Sequence, residues 1–359
     1  MPESHALRRE RLRVAVAASD ADAALVTTLV NVRYLTGLAS SNAALLMPAD
    51  GPPVLATDSR YALVAERDCP DVELLNVRPV ETALAELAAV RGLGRLAFEA
   101  QEVTVERQEA LAATRGLALL VPLGHAVERL RVAKDEEELA LLARACEITG
   151  QAFDQTVTQI RAGMTEHELA VLIERAMVDA GADKPAFDTI VASGPNGAIP
   201  HHAPGSRRLE PGDMITIDCG ARYAGYHADM TRTVMLGQPA AWQRDVYALV
   251  ATAQQAGIEA AVPGAAAADV DAAARDIIAA AGHGEHFSHW LGHGVGLEIH
   301  EAPSLAKTGE GTLSAGMAVT VEPGVYLEGK GGVRIEDTLV VRDDDAELLT
   351  LTTKNLVVV

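Results

Sequence analysis

The chain has 359 residues, 49% of them hydrophobic, enough to bury two sizeable cores rather than one. Its 50 acidic residues against 30 basic ones leave a net charge of −20, which repels phosphate backbones and anionic membrane surfaces and argues against nucleic acid as a partner. Cys69, Cys146 and Cys219 are too widely spaced for a disulfide framework or a metal-binding pair, the first 16 residues lack a signal-peptide core, and no apolar run reaches the roughly 18 residues of a membrane span, so a cytoplasmic protein without membrane attachment is expected.

From residue 22 to about 121, short apolar runs alternate with charged amphipathic ones. Runs 23–27, 43–47, 54–57 and 95–98 read as strands, 59–67 and 105–114 read as helices, and Ala49-Asp-Gly-Pro-Pro53 reads as a hairpin turn. A small α/β domain over residues 1–126 is expected, with no gathering of catalytic residue types. Lys134-Asp-Glu-Glu-Glu138 then opens a long helical pattern with acids in its first turn, where the helix dipole favours them, and a second domain is expected over residues 127–359.

That second domain contains an internal repeat. A long helix to about 160 is followed by a turn at Gly163 and a second helix capped by Thr165 with Glu168 three residues on. The order recurs as a helical stretch over 241–261, a break at Pro263-Gly264 and a helix over 269–281, the two glycines lying about 100 residues apart. Each half ends in a predicted antiparallel hairpin: 214–218 with 226–234 across Arg222-Tyr-Ala-Gly225, and 318–326 with 333–341 across Glu328-Gly-Lys-Gly-Gly332.

If the first hairpin turns about Tyr223 and Ala224, Asp218 and Asp229 face each other directly. In the second, Glu322 and Glu336 are equidistant from Gly329 at the tip. Like charges opposed on apolar strands destabilise a sheet unless something positive lies between them. Four carboxylates would be neutralised by two divalent cations, giving a site able to acidify water for hydrolysis. Ser288-His-Trp-Leu-Gly-His-Gly-Val-Gly-Leu-Glu-Ile-His300 adds three histidines among glycines that allow close backbone approach. His293 is the expected fifth ligand and His300 is expected to face substrate. His201, in Ile199-Pro-His-His202, is the counterpart of His300 in the first half. His202, His227, His283 and His286 read as structural, while His289 stays open between pocket wall and core.

These residues resemble the metallopeptidases of the pita-bread fold, which include Xaa-Pro aminopeptidase, Xaa-Pro dipeptidase (prolidase) and methionine aminopeptidase. The motifs carrying the resemblance are Ile217-Asp-Cys-Gly220, Tyr226-His-Ala-Asp-Met-Thr-Arg-Thr233, Gly292-His-Gly-Val-Gly-Leu-Glu-Ile-His-Glu301, Val321-Glu-Pro-Gly324 and Val333-Arg-Ile-Glu-Asp337. The resemblance implies an α+β pita-bread catalytic domain with a pseudo-two-fold repeat, in which Asp218 chelates one metal, Asp229 and Glu336 bridge both, and His293 and Glu322 complete the second. All five positions are filled, unlike those of a creatinase-like relative that has lost its metals. Asn31-Val-Arg-Tyr-Leu-Thr-Gly37 and Thr57-Asp-Ser-Arg-Tyr61 look like the small N-terminal domain of the proline-specific branch, which implies a homodimer restricted to short proline-containing peptides.

The implied reaction is metal-dependent hydrolysis of the Xaa-Pro bond, with Glu322 shuttling the proton, His201 and His300 steadying the oxyanion and the proline side, and Arg334 orienting the bridging acids. Tyr326 is left open between offering its phenol to the site and packing. An oxygen-rich ligand set with one imidazole suits two Mn²⁺ ions, with Co²⁺ or Zn²⁺ as alternatives. Dipeptidase is favoured over aminopeptidase P by the short chain, although Glu301-Ala-Pro-Ser304 stands where many family dipeptidases place an arginine. A non-catalytic binding module of the same fold is the reading from another class; it would show no chelator-sensitive hydrolysis.

Overall fold

The apolar runs of the first third become a six-stranded sheet: β1 (Ala23–Val26), β2 (Ala43–Pro48), β3 (Val54–Thr57), β4 (Glu73–Asn76), β5 (Arg95–Phe98) and β6 (Leu119–Pro122). The strand order is β4-β3-β2-β1-β5-β6, with β1, β2 and β3 antiparallel and the outer pairs parallel. β1, β2 and β3 are buried along their whole length, which explains their unbroken apolar sequence. The 49–53 turn joins β2 to β3 as expected.

The computed structural model describes residues 2–359, which divide into two units between residues 131 and 132. The first unit carries α1 (Pro2–Ala18), α2 (Leu29–Thr36), α3 (Ala62–Asp68), α4 (Val80–Val90) and α5 (Val105–Ala112), with α6 (Ala126–Val132) at the division. α1, α2, α4 and α6 have no counterpart among the helices read from the sequence. In α1, Arg8 and Arg9 are buried and donate to the carbonyls of Tyr34 and Leu35 at the C-terminal end of α2. Among the described residues no helix is long and apolar enough to cross a membrane.

The second unit follows the expected repeat. α7 (Glu136–Val157) starts at an Asp135/Glu138 capping box, and α8 (Glu166–Asp179) starts at the Thr165/Glu168 box read from the sequence. Then come β7 (Lys184–Pro185), β8 (Ile190–Ser193), β9 (Met214–Cys219), β10 (Ala221–Tyr223), β11 (Tyr226–His227) and β12 (Met230–Met235), in sheets ordered β12-β9-β8 and β11-β10-β7. The second half repeats this with α9 (Ala241–Ala260), α10 (Ala267–Ala280), β13 (Gly292–Gly294), β14 (Glu301–Leu305), β15 (Ala318–Val321), β16 (Gly324–Leu327), β17 (Gly331–Arg334), β18 (Asp337–Val341) and β19 (Ala346–Leu348). Its five-stranded sheet runs β14-β13-β15-β18-β19, with β16-β17 as a separate ribbon.

Each half packs its helix pair on its own sheet. Phe153, Leu169 and Ile173 meet Ile215 and Ile217 in the first, and Val250, Val270 and Ile278 meet Val319 and Leu339 in the second. Burying each such side chain contributes about 1.5–3 kcal/mol relative to exposure, so both halves are firmly anchored.

The two hairpins differ from expectation in one register. The first turns about Ala224 (φ 47°) and Gly225 (φ 89°) rather than Tyr223 and Ala224, because a type I′ loop has positive φ at both centres and Gly225 supplies one without strain. Asp218 therefore faces Thr231, and Asp229 stands diagonally across in the break between β11 and β12. The second hairpin has the expected register: Gly324 pairs with Arg334 and Val321 with Asp337, so Glu322 and Glu336 face across the gap between these ladders.

Candidate metal centre

Three of the four acids sit where strand pairing stops. Asp229 lies between β11 and β12, Glu322 between β15 and β16, and Glu336 between β17 and β18, while Asp218 is the penultimate residue of β9, a strand buried along its whole length. These breaks turn carboxylates inward that a continuous strand would have alternated across the sheet.

His293 comes from β13, whose Gly292 approaches β15 so closely that a Cβ there would lie 1.9 Å from the Thr320 carbonyl oxygen. This closeness lets the His293 N–H donate to Thr320 Oγ1 at 3.1 Å. Nδ1 of His293 lies 3.0 Å from the Gly294 carbonyl, which leaves Nε2 facing the acids, 3.6 Å from Asp229 Oδ2 and 3.4 Å from Glu322 Oε1.

Asp229, His293 and Glu336 each bring a ligand atom within 4.8 Å of the others. Glu322 joins them through His293. Asp218 shares the same cavity, with Oδ2 accepting from Arg334 Nη2 at 2.7 Å. Its other oxygen, Oδ1, is buried without a hydrogen-bond partner, and so is Glu336 Oε1. Orphaned carboxylate oxygens are rare in a folded interior, and their chemistry is that of hard-cation ligands. The residues fit a divalent metal.

The electrostatics agree. Burial, then the charge of Glu336, pushes Asp229 well above the ordinary carboxyl range. Burial, then Glu322 and Asp218, does the same to Glu336, and burial raises Asp218 against the opposing pull of Arg334. For Glu322 and His293 burial opposes charging, but their mutual contact outweighs it: Glu322 is lowered and His293 raised, making an ion pair. Among the described residues Arg334 is the one permanent cation lining the cavity, so the four carboxylates outnumber the positive charge beside them.

All eight residues singled out from the sequence, Asp218, Asp229, His293, Glu322, Glu336, His201, His300 and Arg334, line one cavity of about 690 Å³. Phe187, Trp290 and Ile299 supply its apolar wall. The His300 ring meets that of His293 edge-on, with centroids 4.4 Å apart. His289, left open from the sequence, also lines the cavity and bonds Tyr326 Oη at 2.8 Å. Tyr326 is buried and accepts from Arg334 Nη1 at 2.9 Å, so its phenol belongs to the polar frame around Asp218.

Sequence reasoning missed the link between Arg334 and Glu336. Arg334 does not touch Glu336; its Nε donates to Thr231 Oγ1 at 3.0 Å, and Thr231 donates to Glu336 Oε2 at 2.7 Å. Thr231, directly opposite Asp218, becomes visible only with the corrected register. Behind it, buried Arg232 bonds the Glu336 carbonyl and Asp337, fixing the backbone that carries the acid. Of the histidines read as structural, His202 bonds Glu166, His227 bonds the Gly296 carbonyl, and His283 pairs with His286.

Comparison with known proteins places these observations. Residues 140–343 match metallopeptidase family M24, and residues 8–133 match the creatinase/prolidase N-terminal domain. An uncharacterized peptidase of Bacillus subtilis, YqhT, is 36% identical over 353 residues, 98% of this chain and 100% of its own length. The solved Xaa-Pro dipeptidase from Bacillus anthracis superposes with a TM-score of 0.96 at 35% identity, covering 99% of this chain and 100% of that one. The X-Pro aminopeptidase from Thermotoga maritima superposes with a TM-score of 0.90 at 36% identity, covering 98% and 99%.

Proposed function

The chain belongs to metallopeptidase family M24, and from that premise we propose that it is a dinuclear, metal-dependent peptidase cleaving the Xaa-Pro bond of dipeptides. The observation that carries this reading is the pair of orphaned oxygens, Asp218 Oδ1 and Glu336 Oε1, within a cluster of acids that lacks matching positive charge.

Asp218, Asp229, His293, Glu322 and Glu336 would hold the two ions. Bound there, the ions supply Lewis acidity toward the scissile carbonyl and acidify water. Glu322 has a more exposed side chain than Asp218 or Asp229 (17% against 12% and 7%), which suits it to take a proton from the attacking water and deliver it to the proline nitrogen. His201 and His300 in the cavity wall face the developing oxyanion and the proline ring, whose amide offers no N–H. Arg334 acts through Asp218 and Thr231 rather than on substrate.

The oxygen-rich ligand set supports Mn²⁺ as the resident ion, and buried free Cys69, Cys146 and Cys219 support a reducing, cytoplasmic setting. A homodimer is proposed on the likeness of residues 8–133 to the creatinase/prolidase N-terminal domain.

One observation favours the aminopeptidase reading. The only guanidinium or ammonium among the described cavity residues is Arg334, already engaged by Asp218 and Tyr326, and Glu301 is paired with Lys134, so none of these described residues offers a free cation to a dipeptide's C-terminal carboxylate. Assaying an Xaa-Pro dipeptide against an Xaa-Pro-Yaa tripeptide with added Mn²⁺ decides between them. Faster turnover of the dipeptide is expected; turnover of the tripeptide alone makes the enzyme an aminopeptidase, and chelator-insensitive behaviour with no hydrolysis of either removes the peptidase reading.

A further inference from the structure

Glu166, in the first turn of α8, is fully buried yet takes no part in the capping box, which Thr165 and Glu168 complete between them. Its Oε1 accepts from the Ser193 backbone N–H at 2.9 Å, from Ser193 Oγ at 2.7 Å and from Asn196 Nδ2 at 2.9 Å. Its Oε2 accepts from His202 Nε2 at 2.8 Å and from the Gly205 N–H at 3.2 Å. One carboxylate therefore ties the place where the chain leaves β8 to the place where it returns. Burying an ionised carboxylate is costly, and these charge-assisted hydrogen bonds offset the cost only while segment 193–205 keeps its shape.

The middle of the segment is fastened from the other half of the repeat. Arg334 Nη1 donates to the Pro200 carbonyl at 3.3 Å, and the backbones of Gly197 and Gly332 meet so closely that a Cβ on Gly332 would lie 2.2 Å from Gly197 O. His201 stands between Pro200, held by Arg334, and His202, held by Glu166. It is the segment's one imidazole in the metal cavity, since His202 is spent on Glu166.

We propose that Glu166, acting through His202, is a positioning residue that fixes His201 in the wall of the metal cavity. The proposal rests on the reading of His201 as a group that faces substrate. An apolar side chain at 166 would fill the space without specifying where His201 points, and a misplacement of about 1 Å is enough to cost on the order of 100-fold in turnover.

The test is a double-mutant cycle on the metal-loaded enzyme, following kcat, KM and bound metal with an Xaa-Pro substrate. His202→Leu and Glu166→Gln should each lower kcat by about 10–100-fold with KM and metal content little changed. His202→Gln, which keeps an N–H donor toward Glu166, should recover most of the loss. In a His201→Ala background the same substitutions should change kcat by less than about twofold, because the group they position is gone. Full additive losses in that background, or loss of metal in place of kcat, would overturn the proposal and leave Glu166 a brace for the fold. If His201→Ala alone leaves kcat unchanged, the reading of His201 fails and takes this inference with it, whereas additivity on top of a damaging His201→Ala overturns the inference alone. Should Glu166→Gln not fold, His202→Leu removes one bond of the five and completes the same cycle.

Discussion

Two groups of buried carboxylates in this chain meet opposite electrostatic fates. In the N-terminal unit Asp58, 4% exposed, accepts from Arg60, Arg78 and Asn42, and the Arg60 contact above all holds it below the ordinary carboxyl range. In the C-terminal unit Asp229 and Glu336 are as well buried but are surrounded by further acids, which together with burial push them up. Asp58 finds its positive charge within the chain. Asp229 and Glu336 have no such guanidinium partner, and that deficit is the physical mark of a site completed from outside.

The comparison breaks most visibly if the unmatched charge is removed. Asp229→Asn or Glu336→Gln should lose at least one metal ion and lower Xaa-Pro hydrolysis by on the order of 10³-fold or more. The same variants should melt higher than wild type once both are stripped by chelator, because a repulsive buried charge has gone. Bound-metal analysis and thermal melts check both halves of this expectation.

Chelation of the wild type should produce the next effect, with a definite sign in pH. Asp229 and Glu336 have raised values in the folded state, so the stability of their protonated forms is complete below the ordinary carboxyl values of 3.8 and 4.5 and is lost as pH rises through the raised ones. Metal-free protein should therefore melt lower at about pH 8 than at about pH 5, and saturating metal should shrink that difference. Asp58 works in the other direction, stabilising fully above its ordinary value and losing that contribution as pH falls below it. A metal-free protein that gains stability from pH 5 to pH 8 would contradict the assignment of the raised groups.

Arg334→Met sharpens the comparison from the cationic side. It removes the donors to Asp218, Thr231, Tyr326 and Pro200, and should reduce kcat/KM by about 10–100-fold. The smallest effect is expected at Asp58→Asn, which should lower the melting temperature of the N-terminal unit while leaving bound metal unchanged. Loss of metal in that variant would couple the two carboxylate groups, and the contrast between them would fail.

The candidate metal centre was legible because its chemistry is unusual for its surroundings: acids in apolar strands, in two hairpins repeated about 100 residues apart, with histidines set among glycines. The α7 and α8 starts were equally legible, since the Thr165/Glu168 box is a local signature. The first hairpin's register was not. Shifting the turn from Tyr223-Ala224 to Ala224-Gly225 moves every partner along the ladder, and the choice depends on which residue tolerates positive φ. Glu166 was hidden for another reason: an acid in the first turn of a helix reads as dipole complementation, and only the fold brings segment 193–205 over it. α1 escaped because its buried arginines serve the end of a helix that had itself been missed.

The most direct test of the account is a calorimetric titration of chelator-stripped protein with Mn²⁺, followed in the same samples by hydrolysis of an Xaa-Pro dipeptide. Saturation near two ions per chain, with activity appearing as the second site fills, is the predicted result. Activity that persists in the stripped protein, or saturation without binding that depends on Asp229 and Glu336, would contradict it.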